Sequence, residues 1–168
     1  MRRMLVLMMA MGIAASIAQA DLGKALKLEV LEAAPPQPGV KMPEDARVIA
    51  DVKVRLVNVG SEAVTVNRWG CSSWENWKTD SDEVRVSSLG KTAEGYTIYS
   101  CLSNAPEPET ILPGNYLEDT FVLVAGTKTA SKKIKLRIGF DNITENVWKH
   151  IKESPIPDVW SEPITLQI

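Results

Sequence analysis

Apolar and polar residues alternate along this chain in a pattern that predicts β-strands. The clearest example is the segment 48–59, in which five apolar residues share one face of a strand and three charged residues share the other. The apolar residues are Val48, Ala50, Val52, Val54 and Leu56, and the charged residues are Asp51, Lys53 and Arg55. Because side chains alternate between the two faces of a strand, this segment predicts a strand with one buried face.

A turn and a second alternating segment follow directly. Residues 58–62 read Asn-Val-Gly-Ser-Glu, a composition that favours a turn, and residues 63–69 again alternate apolar and polar side chains. Two alternating segments joined by a short turn are typical of a β-hairpin. We therefore expect 48–59 and 63–69 to pair with each other.

The same reasoning predicts strands along the rest of the chain. Segments 132–140 and 164–168 alternate like the first strand, whereas 116–125 contains four consecutive apolar residues, 121–124. A strand that is apolar on both faces is expected at the centre of a sheet that is covered on both sides. Three further strands are predicted at 26–31, 83–87 and 96–102. The pattern indicates an all-β, two-sheet antiparallel sandwich of about 7–9 strands.

Two segments do not follow the strand pattern. Segment 33–43 contains four prolines and is predicted to be an extended connection. Segment 144–152 begins with Thr144, a suitable N-cap, and its apolar residues have helical spacing. Since Pro155 would stop the helix, we expect one short helix near residues 144–152.

The first twenty residues have the features of a secretory signal peptide. Met1-Arg2-Arg3 is a short basic start, an apolar run follows, and Ala18 and Ala20 place small residues before a cut at Asp21. The alternative is a membrane anchor, but no stop-transfer charges follow the run. We therefore expect residues 1–20 to be cleaved and residues 21–168 to form a single secreted or periplasmic domain.

Composition and charge then exclude several classes of protein. The full chain of 168 residues is 45% hydrophobic, which is too apolar for a disordered chain. Removal of Arg2 and Arg3 leaves 17 basic and 21 acidic residues, a formal charge of −4. A mildly acidic exported domain is not a general nucleic-acid binder, and it is expected to make no membrane insertion after signal cleavage.

Cys71 and Cys101 are the only cysteines in the chain. An even cysteine count in an exported protein predicts a disulfide, here worth about 3–4 kcal/mol by the loop-entropy argument. A redox or metal-binding pair is the alternative, but the spacing is not C-x-x-C and His150 is the only histidine. Trp69 would share a strand face with Cys71, so we expect its indole to pack on the disulfide.

Two turn motifs carry a resemblance to a known superfamily. The residues 58–66, Asn-Val-Gly-Ser-Glu-Ala-Val-Thr-Val, and 112–116, Leu-Pro-Gly-Asn-Tyr, resemble turns of exported bacterial immunoglobulin-like domains. Segment 160–166 is similar to the closing strand of fibronectin type III modules. The resemblance implies an immunoglobulin-like sandwich, and because this fold hosts many functions it implies no particular activity.

Three of the five tryptophans lie within residues 69–77. Trp74 and Trp77, with Asn76 between them, stand among polar residues, and flat rings on a loop can stack on sugars or anchor a protein partner. These three residues are therefore candidates for an exposed binding surface. The alternative, which the frequency of such clusters in loops favours slightly, is that Trp74 and Trp77 cover one end of the sandwich as a small hydrophobic cluster.

Other chemistry has few candidate residues. Asp80, Asp82 and Glu83 could ligate calcium, although a solvated turn before a strand explains the same residues. With one histidine, no marked carboxylate pair and no glycine-rich phosphate loop, the chain is not expected to be an enzyme or to hold a cofactor.

These observations together predict a non-catalytic binding or structural accessory module that is secreted or periplasmic. It would act through protein–protein interaction with an envelope or extracellular protein. Two alternatives remain: a carbohydrate-binding module that uses the tryptophans of 69–77 on a glycan, and a protease inhibitor that presents an end loop.

Overall fold

The computed structural model describes residues 21–36, 46–69, 73–92, 95–98, 106–126, 128–130, 132–144 and 157–168. In these ranges the chain is all-β, with one short helix, α1 (Leu22–Ala25), and one 3₁₀ turn, Ser73–Asn76. No helix in the described ranges is long and apolar enough to cross a membrane. The strands there are β1 (Leu26–Ala34), β2 (Ala46–Asn58), β3 (Val64–Trp69), β4 (Trp77–Thr79), β5 (Val84–Ser87), β6 (Leu89–Thr92), β7 (Gly95–Ile98), β8 (Pro106–Ile111), β9 (Tyr116–Gly126), β10 (Lys133–Leu136), β11 (Ile138–Phe140), β12 (Val159–Trp160) and β13 (Ile164–Gln167).

The largest sheet has four antiparallel strands in the order β1-β2-β9-β5. Strands β12 and β4 pair with β11, β13 pairs with β10, and β3 pairs with β8. The inner face of the four-stranded sheet and the apolar faces of β3, β10, β11 and β13 contribute to one hydrophobic core. Apolar burial in this core is the main stabilising contribution to the fold.

The predicted central strand is confirmed. Strand β9 lies between β2 and β5, and its residues from Phe121 to Ala125 are all buried. Phe121 and Leu123 face the main core, whereas Val122 and Val124 pack in a second cluster with Leu89. The β6–β7 hairpin contributes Leu89 and Tyr96 to this second cluster, so both faces of β9 are covered.

The first strand is also confirmed, but a bulge changes one of its faces. Val48 pairs with Val124 and Ala50 pairs with Leu123, so Ile49 is an extra residue in β2. A bulge of this kind shifts the alternation by one position. Val48 therefore joins the second cluster, on the opposite face from Ala50 and the rest of the predicted apolar row.

The predicted hairpin between 48–59 and 63–69 is wrong. Strand β3 pairs with β8, from Val64 opposite Ile111 to Trp69 opposite Pro106, and β2 pairs with β1 and β9. Alternation indicates which face of a strand is buried, but it contains no information about which strand lies beside it. The segment between β2 and β3 connects two different sheets.

Strands β4, β6, β8 and β12 are not among the predicted strands. Strand β8 has the sequence Pro-Glu-Pro-Glu-Thr-Ile and is exposed along most of its length. It pairs only with β3, and proline is tolerated on such a strand because one of its edges needs no partner. Strand β4 was assigned to a polar loop because its tryptophan has many polar neighbours in sequence.

Several predictions fall outside the described residues. These are the signal peptide 1–20, residues 37–43 of the predicted connection, residues 99–102 of the predicted strand 96–102, the cysteines Cys71 and Cys101, and the helix 144–152 apart from Thr144, which is not helical. They stay predictions.

Candidate functional site

Trp77 is a core residue and not part of an exposed surface. Its side chain is 3% exposed, and its ring centroid lies 5.4 Å from that of Phe121 and 5.1 Å from that of Phe140. The indole Nε1 donates a hydrogen bond of 2.8 Å to Asp119 Oδ2. Pairing of β4 with β11 places Trp77 opposite Phe140, which turns the ring into the core. This burial removes Trp77 from the candidate binding residues and agrees with the alternative that its ring is buried.

Asn76 is likewise buried, with no exposed surface. Its Oδ1 accepts a hydrogen bond from the Trp69 backbone N–H at 3.1 Å, and its Nδ2 donates to the carbonyls of Asn67 and Asp141, both at 2.9 Å. The backbone N–H of Asp141 in turn donates to the Asn76 carbonyl at 2.8 Å. Both amide protons are thus used inside the protein, so Asn76 joins β3 to the end of β11 and does not face a ligand.

The other two tryptophans of the segment have different surroundings. Trp69 is 5% exposed and packs against Ile143, and its Nε1 has no hydrogen-bond acceptor among the described residues. The disulfide on which Trp69 was expected to pack involves cysteines outside those residues. The backbone of Trp74 lies in the 3₁₀ turn, and its side chain is outside the description. The tryptophan surface is therefore reduced to Trp74.

Two of the three acidic residues proposed for calcium form ion pairs with basic side chains. Asp80 accepts hydrogen bonds from the Arg137 backbone N–H at 2.7 Å and from its Nε at 2.8 Å. Glu83 forms an ion pair of 2.6 Å with Lys132, and Asp82 is exposed. Across the described ranges, no three or more Asp, Glu, His or Cys residues converge as a metal site would require.

Asp80 gives a pH-dependent prediction. Burial alone would raise the pKa of Asp80, but the hydrogen bonds and charge of Arg137 outweigh burial and hold that pKa below its usual value. The ion pair therefore stabilises the fold above the unfolded-state pKa, and this stabilisation is lost as the pH falls through the folded-state value. We expect Asp80→Asn to cost about 1 kcal/mol at neutral pH.

Chemical unfolding as a function of pH checks this expectation. The difference between Asp80→Asn and the parent should shrink as the pH falls through the folded-state pKa of Asp80, and it should vanish where Asp80 is protonated in both the folded and the unfolded state. Asp82→Asn makes the same charge change on the same turn and should leave stability nearly unchanged. An equal effect at the two positions would show that Asp80 acts only through net charge.

Sequence reasoning missed an apolar surface at one end of the molecule. Val59, Leu112 and Tyr116 are 57%, 54% and 54% exposed, and with Leu31 they are the exposed large hydrophobic residues of the described ranges. We call Val59, Leu112 and Tyr116 the end patch. Val59 and Leu112 belong to two turns, 58–63 and 112–115, that are about fifty positions apart in sequence, and Tyr116 is the first residue of β9, directly after the second turn.

Asn58 holds these two turns together. Its Nδ2 donates to the carbonyls of Glu62 at 2.7 Å and Ile111 at 2.8 Å, and its Oδ1 accepts from the Gly60 N–H at 2.9 Å. Its backbone N–H donates to Asn115 at 3.0 Å, and its carbonyl accepts from Gly114 at 2.9 Å. Gly114 has a φ of 76°, a left-handed conformation that favours glycine. Because Asn58 is completely buried, both turns are fixed from inside the fold.

Charged groups support the edge of the end patch. The Arg55 guanidinium lies 4.1 Å from the centroid of the Tyr116 ring, a cation–π contact, and its Nη2 lies 2.7 Å from Glu118 Oε1. Lys53 pairs with the same carboxylate at 2.7 Å. Hydrogen bonds from Lys53 and Arg55 lower the pKa of Glu118, so this support is charged at neutral pH. The Tyr116 ring is thereby held on a rigid strand.

The sequence contained one signal of this surface. The two turn motifs, 58–66 and 112–116, stand out as motifs in the chain, but nothing in either shows that the two turns adjoin. Comparison with protein-family models and with curated proteins finds no match to this chain.

Proposed function

We propose that this protein is a non-catalytic, secreted or periplasmic module that binds an envelope or extracellular protein through the end patch. The observation that carries the proposal is the exposure of Val59, Leu112 and Tyr116 on or directly beside two turns that Asn58 joins by hydrogen bonds. Exposed apolar and aromatic side chains on a preorganised surface lose little conformational entropy when they bind. Tyrosine in such a setting is a frequent anchor of protein interfaces.

The strand order supports an immunoglobulin-like sandwich as the fold of this module. The order β1-β2-β9-β5 corresponds to the A-B-E-D sheet of constant-type immunoglobulin domains. The pairing of β13 with β10 and of β4 with β11 corresponds to the G-F-C sheet, with β10 and β11 as successive parts of strand F. Such domains commonly use the turns at one end of the sandwich for recognition.

Export is supported by the residues 1–20, which have the basic start, apolar run and small-residue cut of a signal peptide. The carbohydrate-binding alternative now depends on Trp74, since Trp77 is buried. The protease-inhibitor alternative would use the same end turns, and inhibition assays against several protease classes would distinguish it.

Crosslinking in the envelope fraction tests the proposed interface. The parent protein should capture a partner, and the triple variant Val59→Ser, Leu112→Ser, Tyr116→Ser should lose it, with a decrease in affinity of about 30-fold or more. Leu31→Ser is the matched control, because Leu31 is 42% exposed but lies at the bulge of β1, away from the end patch.

The outcomes separate interface from fold. All variants should melt at nearly the same temperature as the parent, since the replaced side chains are exposed. Capture that survives the triple variant, or that is lost equally in Leu31→Ser, would remove the end patch from the proposal.

A further inference from the structure

Strand β10 has an exposed basic row on a protein that is acidic overall. Residues 128–137 contain five of the 19 lysines and arginines of the chain and no aspartate or glutamate. Ile134 and Leu136 of β10 are buried, and Lys133, Lys135 and Arg137 occupy the exposed alternate positions. We call these three cations the basic row, in which Lys133 and Lys135 lie in β10 and Arg137 directly follows its end. Alternate side chains of a strand are about 6.8 Å apart, so Lys133 and Lys135 have this spacing.

Among the residues that the structure describes, two cations of this row have no acidic partner. Arg137 is paired with Asp80 and, next to the row, Lys132 is paired with Glu83. Lys133 and Lys135 form no ion pair with any residue that the structure describes. Since both are exposed, their charge is available to a ligand at the surface.

The surroundings of the row are suited to hydrogen bonding along a line. Gln167 lies opposite Lys133, and Thr165 lies opposite Lys135, on the neighbouring strand β13. Both polar residues are exposed. The row ends at Trp160, whose ring lies 4.9 Å from the guanidinium of Arg137. The row therefore has a neutral polar strand beside it, and the acidic residues Glu83 and Asp80 lie at its two ends, paired with Lys132 and Arg137.

We propose that the basic row binds an extended acidic segment of a partner protein, in which carboxylates alternate with other residues. Carboxylates at alternate positions of an extended chain repeat at about the same 6.8 Å spacing as the row, so charges can face each other one to one. A bilayer presents charge in a plane and would require cations on neighbouring strands as well, where Thr165 and Gln167 stand. This surface is separate from the end patch and does not depend on it.

Titration with synthetic peptides at low ionic strength tests the proposal on the mature protein. The first probe is a peptide of alternating Glu and Thr, and the second has the same composition with all Glu residues in one block. We expect the alternating peptide to bind more tightly than the block peptide. In NMR spectra of the protein, the changes in backbone amide chemical shift should be concentrated in β10 and β13. Affinity should fall steadily as salt is added, because exposed charge pairs are screened.

Variants locate the binding. Lys133→Gln with Lys135→Gln should weaken the alternating peptide about tenfold, as expected for two exposed charge pairs. Lys24→Gln with Lys27→Gln removes the same charge near α1 and should leave binding within about twofold, as expected for distant exposed charges. The end-patch triple variant should bind the peptide like the parent, which keeps this test independent of the proposed function.

Four results would overturn the proposal. The first is absence of binding to the alternating peptide, and the second is an equal loss of affinity for that peptide in the two double-lysine variants. The third is tighter binding of the block peptide than of the alternating peptide. The fourth is tighter binding of anionic vesicles or single-stranded DNA than of the alternating peptide. The parent protein could also self-associate at low salt, and the double variant Lys133→Gln, Lys135→Gln could abolish this association. That result would support the proposal and would identify the acidic segment as part of a second copy of the chain.

Discussion

Replacement of Trp77 by alanine is expected to lower the free energy of unfolding by about 3–5 kcal/mol, the usual cost of removing a large aromatic side chain from a core. Trp77 fills the space between Phe121 and Phe140 and is 3% exposed. Its removal leaves a cavity between β4 and β9 and removes the indole N–H that donates a hydrogen bond to Asp119. Urea unfolding monitored by circular dichroism measures the effect.

Trp77→Phe separates packing from hydrogen bonding. This variant keeps an aromatic ring beside Phe121 but lacks the N–H that reaches Asp119, and we expect it to cost about 1–2 kcal/mol. A Trp77→Ala protein that unfolds at the same urea concentration as the parent would mean that Trp77 is not a core residue. In that case Trp77 would return to the candidate binding residues.

Asn76→Asp is expected to cost about 3–5 kcal/mol at neutral pH, although the two side chains have nearly the same shape. The carbonyls of Asn67 and Asp141 would lose their buried donor and would face a carboxylate oxygen at hydrogen-bond distance. Acidification should recover part of the loss, because protonation removes the charge and returns one donor. Burial is expected to raise the pKa of the introduced carboxyl, so this recovery should begin above the usual range for aspartate.

Asn115→Asp is the control for this change. Asn115 is exposed, and the hydrogen bonds described for it use its backbone, so the same substitution should alter stability by less than about 0.5 kcal/mol. Unfolding at two pH values for both variants completes the comparison. Equal and small effects at positions 76 and 115 would contradict the assignment of Asn76 as a buried link between β3 and β11.

Part of the candidate site was within reach of sequence reasoning. The Asn-Val-Gly and Leu-Pro-Gly-Asn turns are identifiable because turn residues act locally on the backbone. That Asn58 bonds to Ile111 and Asn115 depends on which strands are neighbours, and local sequence contains no such information. The end patch was therefore missed even though both of its turns were noticed.

The tryptophan segment shows a limit of local sequence. The polar sequence neighbours of Trp77 leave its exposure open, whereas its neighbours in space are Phe121 and Phe140. Strand β4 has three residues, which is too short for alternation to be visible. Only its pairing with β11 shows that the ring faces the core.

The sequence by itself determined the all-β class, the buried faces of β3, β10 and most of β2, and the central position of β9. These features follow from side-chain alternation and apolar runs, which reflect local burial. The tertiary structure alone decided the partner of each strand, the bulge that moves Val48 to the second cluster, the burial of Trp77 and Asn76, and the joining of the two turns by Asn58. These features depend on contacts between residues far apart in the chain, and such contacts form only when the sheets pack together.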